Sequence, residues 1–213
     1  MSRTPYTVGD RVVPSVTTIL DRFGEGASLV HWAWQRGRDG LPERDDSAAT
    51  GTLVHAHIEA RLRGHEPPDL EDHRLRGPAW SSIAAWEAWR RPHTLRPLAI
   101  EERLTSSTML YGGTPDLVCE LDGTRTVVDW KTSSQPRATY PAQVAAYALL
   151  WNEHNPGLPV EHGCVVLLDR DGGGWRQYPY GPAEMVAGAA LFTALRAAWD
   201  CAERIDSFYD REG

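Results

Sequence analysis

The stretch Gly113–Lys131, GTPDLVCELDGTRTVVDWK, reads as a β-hairpin, and the rest of the chain is placed around it. Asp122-Gly123 is a dipeptide that accepts the two positive φ angles of a two-residue type I′ loop, and apolar runs flank it on both sides. Counting outward from that turn pairs Leu121 with Thr124, Glu120 with Arg125, Cys119 with Thr126, Val118 with Val127, Leu117 with Val128 and Asp116 with Asp129. Two carboxylates are then expected to face each other at the open end. Lys131, two residues beyond Asp129, shares their side of the strand.

Directly opposed side chains in an antiparallel pair have Cβ atoms roughly 4.5–5.5 Å apart, where like charges destabilise the sheet. A divalent cation offsets that repulsion, because hard ions such as Mg²⁺ take carboxylate oxygens. The basic residues are 21 Arg and one Lys, and the lysine is Lys131. GC-rich coding produces such a bias wherever any cation serves, so the one position that escapes it is read as needing a compact ammonium whose pKa responds to its neighbours. Chance placement is the competing reading, and the adjacent acids weigh against it.

At 213 residues the chain is expected to form one domain: 1–94 mainly helical, 95–180 a sheet core with one helix, 181–213 a C-terminal helix and tail. Hydrophobic content of 41% and charged content of 24% are ordinary for a globular protein. No uninterrupted apolar run approaches the roughly 18 residues of a membrane span, and MSRTPYTVGD lacks a signal-peptide pattern; a cytoplasmic protein with no membrane partner is expected. Cys119, Cys164 and Cys201 lie far apart without CxxC spacing, which argues for three small buried hydrophobes and against a disulfide, zinc or iron–sulfur framework. The net charge of −7 is unevenly placed, with 13 Arg against 13 acids in residues 1–100 and 9 basic against 16 acidic residues in 101–213. The acidic excess sits with the hairpin, while the arginines of the first half remain able to meet phosphates.

Ser15 in PSVTTIL is placed to cap a short helix, and a second helical pattern runs from about Ala27 to Arg36, followed by a loop from Gly37 to Asp46. SAATGTLVHAHIEARLR, residues 47–63, has helical spacing and stops at Gly64, with Leu53, Ala56, Ala60 and Leu62 as its expected buried stripe. His55 and Glu59 share a face of it, and His57 points elsewhere. HEPPDLEDHRLRG reads as a turn-rich connector, after which Pro78 begins an amphipathic helix whose Trp80, Ile83, Ala84, Trp86 and Trp89 are read as core rather than as a base-stacking platform. Strand signals follow at LRPLAIEERL and in the hairpin, then a helix from about Pro141 to Glu153, a strand GCVVLLD, a short partner WRQYPY, and a last helix from near Pro182 to about Phe208. That order implies an α/β fold, a central mixed β-sheet carrying the hairpin and flanked by helices, with further helices before it.

Asp116, then Asp129-Trp130-Lys131, then Gln143-x3-Tyr147 resembles the PD-(D/E)XK nucleases, in particular their RecB-like exonuclease branch common in bacteriophages and recombination enzymes. GTLVH matches the Gly-x3-His pattern of that branch with Gly51 and His55, and AIEERL offers Glu101 for the Glu that recurs before the first core strand. The resemblance covers roughly Gly51 to Trp151, with weaker similarity in PSVTTIL.

The resemblance implies a restriction-endonuclease-like core and phosphodiester hydrolysis with one or two Mg²⁺ or Mn²⁺ ions held by Asp116, Asp129, His55 and the backbone carbonyl of Trp130. Lys131 would orient or deprotonate the attacking water and stabilise developing charge. Gln143 and Tyr147, on one helical face, could reach the scissile phosphate or the metal water. Glu101 is favoured over Glu102 by strand alternation, and its role could be structural. An iron–sulfur cluster held by four cysteines is not expected, and without a GxxxxGK[ST] motif no motor activity is expected in this chain. DNA is the implied substrate, with a recombination or replication protein as partner; oligomeric state is not read from the sequence. Two other readings stay open: a catalytically silent nucleic-acid-binding or assembly module with the same fold, and a structure- or sequence-specific endonuclease.

Overall fold

The computed structural model describes residues 4–23, 44–70, 72–172 and 174–209, so the helix expected at Ala27–Arg36 and most of the following loop lie outside the described residues. Strands β1 (Tyr6–Val8) and β2 (Arg11–Val13) form a small hairpin, followed by helices α1 (Val16–Phe23), α2 (Arg44–Arg63) and α3 (His73–Arg90). Then come β3 (Leu95–Ile100), β4 (Leu104–Ser106), β5 (Tyr111–Gly113), β6 (Leu117–Leu121) and β7 (Thr124–Lys131). Helix α4 (Tyr140–His154), strands β8 (His162–Leu168) and β9 (Trp175–Tyr180), and helix α5 (Pro182–Tyr209) complete the described chain.

Five strands make the central sheet in the order β3-β6-β7-β8-β9, with β7 and β8 parallel and every other neighbour antiparallel. The sheet is therefore mixed, as read from the sequence. The parallel step exists because α4 carries the chain from one end of β7 back to the start of β8, the connection a parallel pair requires. The β6–β7 register runs from Leu121↔Thr124 to Leu117↔Val128 as counted, and Asp122 (φ 50) and Gly123 (φ 85) supply the two left-handed positions. It stops there: the expected Asp116↔Asp129 pair is not part of the ladder.

Alternation along the strands divides the core in two. Val118, Val127, Val165 and Leu167 pack under α1, α4 and α5, while Leu117, Cys119, Leu121, Val128, Trp130, Cys164, Val166 and Leu168 pack under α2 and α3. Trp86 and Trp89 hold the Trp130 ring edge-on at 6.4 and 5.0 Å. Cys119 and Cys164 are buried as expected, but Cys201 is exposed because it lies on the outer face of α5.

Several helix expectations need correction. Ser15 does cap α1, accepting from the Thr18 N–H at 3.0 Å, and Gly64 (φ 72) ends α2. The buried stripe of α2 is Thr50, Val54, His57 and Ile58; Leu53, Ala56, Ala60 and Leu62 are only partly buried. The two sets are one position out of phase, and on a helix with apolar residues on several faces it was the packing partner that chose between them. Helix α3 begins at His73, not Pro78, because the Asp72 carboxylate accepts from the Arg74 N–H at 2.9 Å and caps it earlier. Pro78 thus sits inside the helix, and the connector is shorter than expected. Trp80 is 52% exposed and Ala84 is exposed, so the core reading applies to Ile83, Trp86 and Trp89. Five strands, not three, lie between α3 and α4, since the short β4–β5 pair carried no recognisable alternation.

By length and composition alone α5 could cross a bilayer, with a mean hydropathy of 1.2 reached through Ala and Gly rather than through an unbroken apolar run. It packs instead on α4 and α1 through Met185, Phe192 and Leu195, and Glu203 and Asp206 pair with Arg22 of α1. The α4–α5 crossing is close at Gly188, where a Cβ would lie 2.5 Å from the Pro141 carbonyl oxygen. Gly→Ala inside a helix ordinarily stabilises by about 0.5–1 kcal/mol. Here overpacking of about 1–3 kcal/mol wins, since the obstructing atom is backbone. Gly188→Ala is therefore expected to lower the denaturation midpoint in urea, and an unchanged or raised midpoint would contradict the close crossing.

Candidate active site

Immediately beyond the last ladder pair, the hairpin becomes a site. Asp116 Oδ2 accepts from the Trp130 N–H at 2.8 Å, replacing the missing strand pairing with a side-chain bond and leaving Oδ1 turned outward. The strand β3 ends at Ile100, and Glu101 then takes a left-handed φ of 48° with its N–H donating to the Asp116 carbonyl at 3.1 Å. Glu101 is thus brought in by a backbone kink and not by strand alternation, the basis on which it was chosen over Glu102.

The third approach is from α2. A Cβ on Gly51 would stand 3.2 Å from Thr132 Oγ1, so the absence of a side chain lets the helix lie against the end of β7. One turn later His55 reaches the same strand: Nε2 is 3.0 Å from the Trp130 carbonyl oxygen, and Nδ1 faces Asp116 Oδ1 at 3.3 Å and Glu101 Oε1 at 4.0 Å. With the ring N–H on Nε2 donating to that carbonyl, Nδ1 is left for the acids. The Trp130 carbonyl, expected as a metal ligand, orients the imidazole in this geometry.

On the α4 side, Asp129 and Lys131 project from alternate residues of β7. Lys131 Nζ is 2.7 Å from Asp129 Oδ2, and the Gln143 amide donates to Asp129 Oδ1 at 3.0 Å and to the Tyr147 hydroxyl at 3.2 Å. Gln143 and Tyr147 therefore brace Asp129. Tyr140 belongs with them, its ring centroid 5.6 Å from Lys131 Nζ. Sequence reasoning passed over Tyr140, although its i, i+3, i+7 spacing to Gln143 and Tyr147 was the available signal.

The charges are strongly coupled. Burial would lower the His55 pKa, but Asp116 beside it outweighs that and raises it to about 9. Burial would raise the Asp116 carboxyl, yet the same imidazole leaves it below its ordinary value. Burial pushes Asp129 up to about 6, with Lys131 opposing and Asp116 adding to the rise. Burial would lower the Lys131 ammonium, but Asp129 and Asp116 hold it above its ordinary value. Burial also pushes the Tyr147 phenol well above its ordinary range.

His55, Glu101 and Asp116 each offer one ligand atom, and these atoms lie within 4.8 Å of one another. One imidazole nitrogen and two carboxylate oxygens at that separation suit a hard or borderline divalent ion. Asp129 Oδ2 is buried and has no partner in hydrogen-bonding geometry beyond the Lys131 ion pair, so this carboxylate too retains coordinating capacity. The donor set therefore fits a divalent cation, and the arrangement can place an ammonium beside whatever the cation binds.

Comparison with known proteins follows the same lines. A family model for the PD-(D/E)XK nuclease superfamily matches residues 23–209. Mitochondrial genome maintenance exonuclease 1 of Homo sapiens is 28% identical over 180 residues, covering 76% of this chain and 50% of that protein; the chain thus spans about half the length of this relative. Among solved structures, LHK-Exo in complex with dAMP is similar with a TM-score of 0.42 and 12% identity, over 94% of this chain and 95% of that one. The alkaline exonuclease LHK-Exo from Laribacter hongkongensis is similar with a TM-score of 0.35 and 14% identity, over 74% and 86% of the two chains.

The His55 shift has a definite sign. A pKa raised in the folded state contributes stability that is fully present below the ordinary value of 6.5 and is lost as pH rises through about 9. In chelator, the protein is expected to lose about 1–3 kcal/mol between pH 6.5 and 9 that a His55→Gln variant does not lose. Parallel urea titrations at the two pH values check this, and equal losses in both proteins would refute the coupling.

Proposed function

The chain belongs to the PD-(D/E)XK nuclease superfamily, and on that premise we propose that it is a divalent-metal-dependent DNA exonuclease acting at the open end of the β6–β7 hairpin. The observation that carries this reading is the convergence of His55, Glu101 and Asp116 within 4.8 Å beside a Lys131–Asp129 pair at 2.7 Å. The name of the human relative, an exonuclease of genome maintenance, supports DNA as substrate and chain ends as the point of attack.

His55 Nδ1, Glu101 and Asp116, with Asp129 adjoining, would hold one or two ions, Mg²⁺ or Mn²⁺; an imidazole among oxygens favours Mn²⁺. When bound, the metal supplies Lewis-acid charge for the phosphoryl oxygens and acidifies a water. Asp116 and Asp129 keep Lys131 cationic, which suits it to donate to a phosphate oxygen as negative charge develops there. Gln143 holds Asp129 Oδ1 so that Oδ2 faces Lys131, and the Tyr147 hydroxyl fixes Gln143 in turn. These two residues act by positioning Asp129, a different task from the contact with phosphate or metal water first expected of them.

Purified protein is expected to degrade linear DNA with Mn²⁺ or Mg²⁺ and not with chelator. Lys131→Ala should lower the rate at least about a hundredfold, the scale for losing one charge-stabilising donor, while calorimetry still detects Mn²⁺ binding. Undiminished activity in that variant would remove Lys131 from the mechanism. Covalently closed circular DNA should stay intact while linear DNA of the same sequence is degraded; degradation of the circle would make the enzyme an endonuclease.

A further inference from the structure

The strand register extends the candidate site across the sheet. Lys131 of β7 pairs with Leu167 of β8, and Leu167 pairs with Arg176 of β9. Directly paired residues point to the same face, so Lys131, Leu167 and Arg176 form one row on the α4 side. Leu167 packs in the core beneath α4, in agreement with this. At a strand spacing of about 4.8 Å, two steps set the Arg176 backbone on the order of 10 Å from that of Lys131.

A cavity of about 330 Å³ opens at this end of the row, lined by Ser133, Leu167, Asp169, Gly174, Trp175 and Arg176. Ser133 Oγ lies 3.4 Å from the Tyr140 hydroxyl, and the Tyr140 ring in turn neighbours Lys131, so the cavity adjoins the lysine. Arg176 is exposed, whereas Trp175 pairs with Leu168 and points to the opposite face of the sheet. Among the described residues the Arg176 guanidinium has no hydrogen-bond or ion-pair partner, although Asp169 lines the same cavity. Asp169 Oδ1 instead accepts from the Asp171 N–H at 2.7 Å and closes the β8–β9 turn. An uncommitted arginine is notable here, because this half of the chain carries the whole acidic excess.

We infer that this cavity is a phosphate subsite flanking the scissile phosphate, in which Arg176 holds a backbone phosphate of the nucleic acid. The inference rests on the nuclease reading above but uses residues outside the metal-binding group. A guanidinium offers phosphate a two-pronged donor.

The test is binding of a fluorescent single-stranded oligodeoxynucleotide to the full chain, with Lys131→Ala present to prevent turnover, read by anisotropy. Adding Arg176→Ala is expected to weaken binding about tenfold for every sequence tried and to reduce the slope of log affinity against log salt by about 0.7, the value of one phosphate contact. Arg176→Lys should recover much of the loss, which a folding defect would not allow. In protein retaining Lys131, Arg176→Ala should raise KM far more than it lowers kcat. Unchanged binding and KM in Arg176→Ala would overturn the subsite alone. Displacement of the oligonucleotide by an equal concentration of free deoxynucleoside monophosphate would overturn it in favour of a product site. A protein that binds the oligonucleotide through Arg176 but never cleaves DNA would overturn the nuclease reading and leave the subsite standing.

Discussion

The Trp130 peptide is held at both ends. Its N–H donates to Asp116 Oδ2 at 2.8 Å, and its carbonyl faces His55 Nε2 at 3.0 Å, while its indole is wedged between Trp86 and Trp89 on the opposite side of the sheet. One residue therefore ties the tryptophan core under α3 to the acids and the imidazole. Because a buried carboxylate without partners would be strongly disfavoured, the amide and the imidazole are what allow Asp116 to remain ionised in this position. Asp129 lacks an equivalent imidazole contact and depends on Lys131 and Gln143, and its carboxyl is correspondingly easier to protonate.

The site draws on both layers of helices, which is possible only at the end of a sheet. From one face α2 reaches over the tip of β7, made close by Gly51; from the other, α4 lays Tyr140, Gln143 and Tyr147 along Asp129 and Lys131. The second approach is set by small residues as well. Ala142, Ala145, Ala146 and Ala148 bury α4 almost entirely, and Gly188 brings α5 against its first turn. Rigid packing beneath the site suits a chemistry in which the acids must keep fixed separations.

How much of this was legible depended on the range of the interactions involved. The hairpin was readable because a two-residue turn sets its own register, and the helices near Pro141 and Pro182 were readable from punctuation and composition. The phase of α2 was not: Val54 and Leu53 are equally apolar, and the sheet decided that Val54 should be buried. Pro78 was a plausible helix start, but the carboxylate of Asp72 offered an earlier cap, and the helix carries Pro78 in its second turn at the loss of one backbone hydrogen bond. Glu101 was selected for a reason that the backbone does not follow, since β3 has already ended and the residue turns through a left-handed conformation.

The sequence by itself determined which residue types could do chemistry and the local frame that holds half of them. The Asp-Gly turn, the alternation of β7 and the lone lysine place Asp129 and Lys131 on one face through interactions within a few residues. Only the tertiary structure decided that His55, Glu101 and Asp116 meet, and that Asp116 bonds a backbone amide instead of pairing across the ladder with Asp129. Those contacts join α2, β3 and the hairpin, segments far apart in the chain. Their distances are set by the packing of Gly51 against Thr132 and of Trp130 between two tryptophans, which no local pattern encodes.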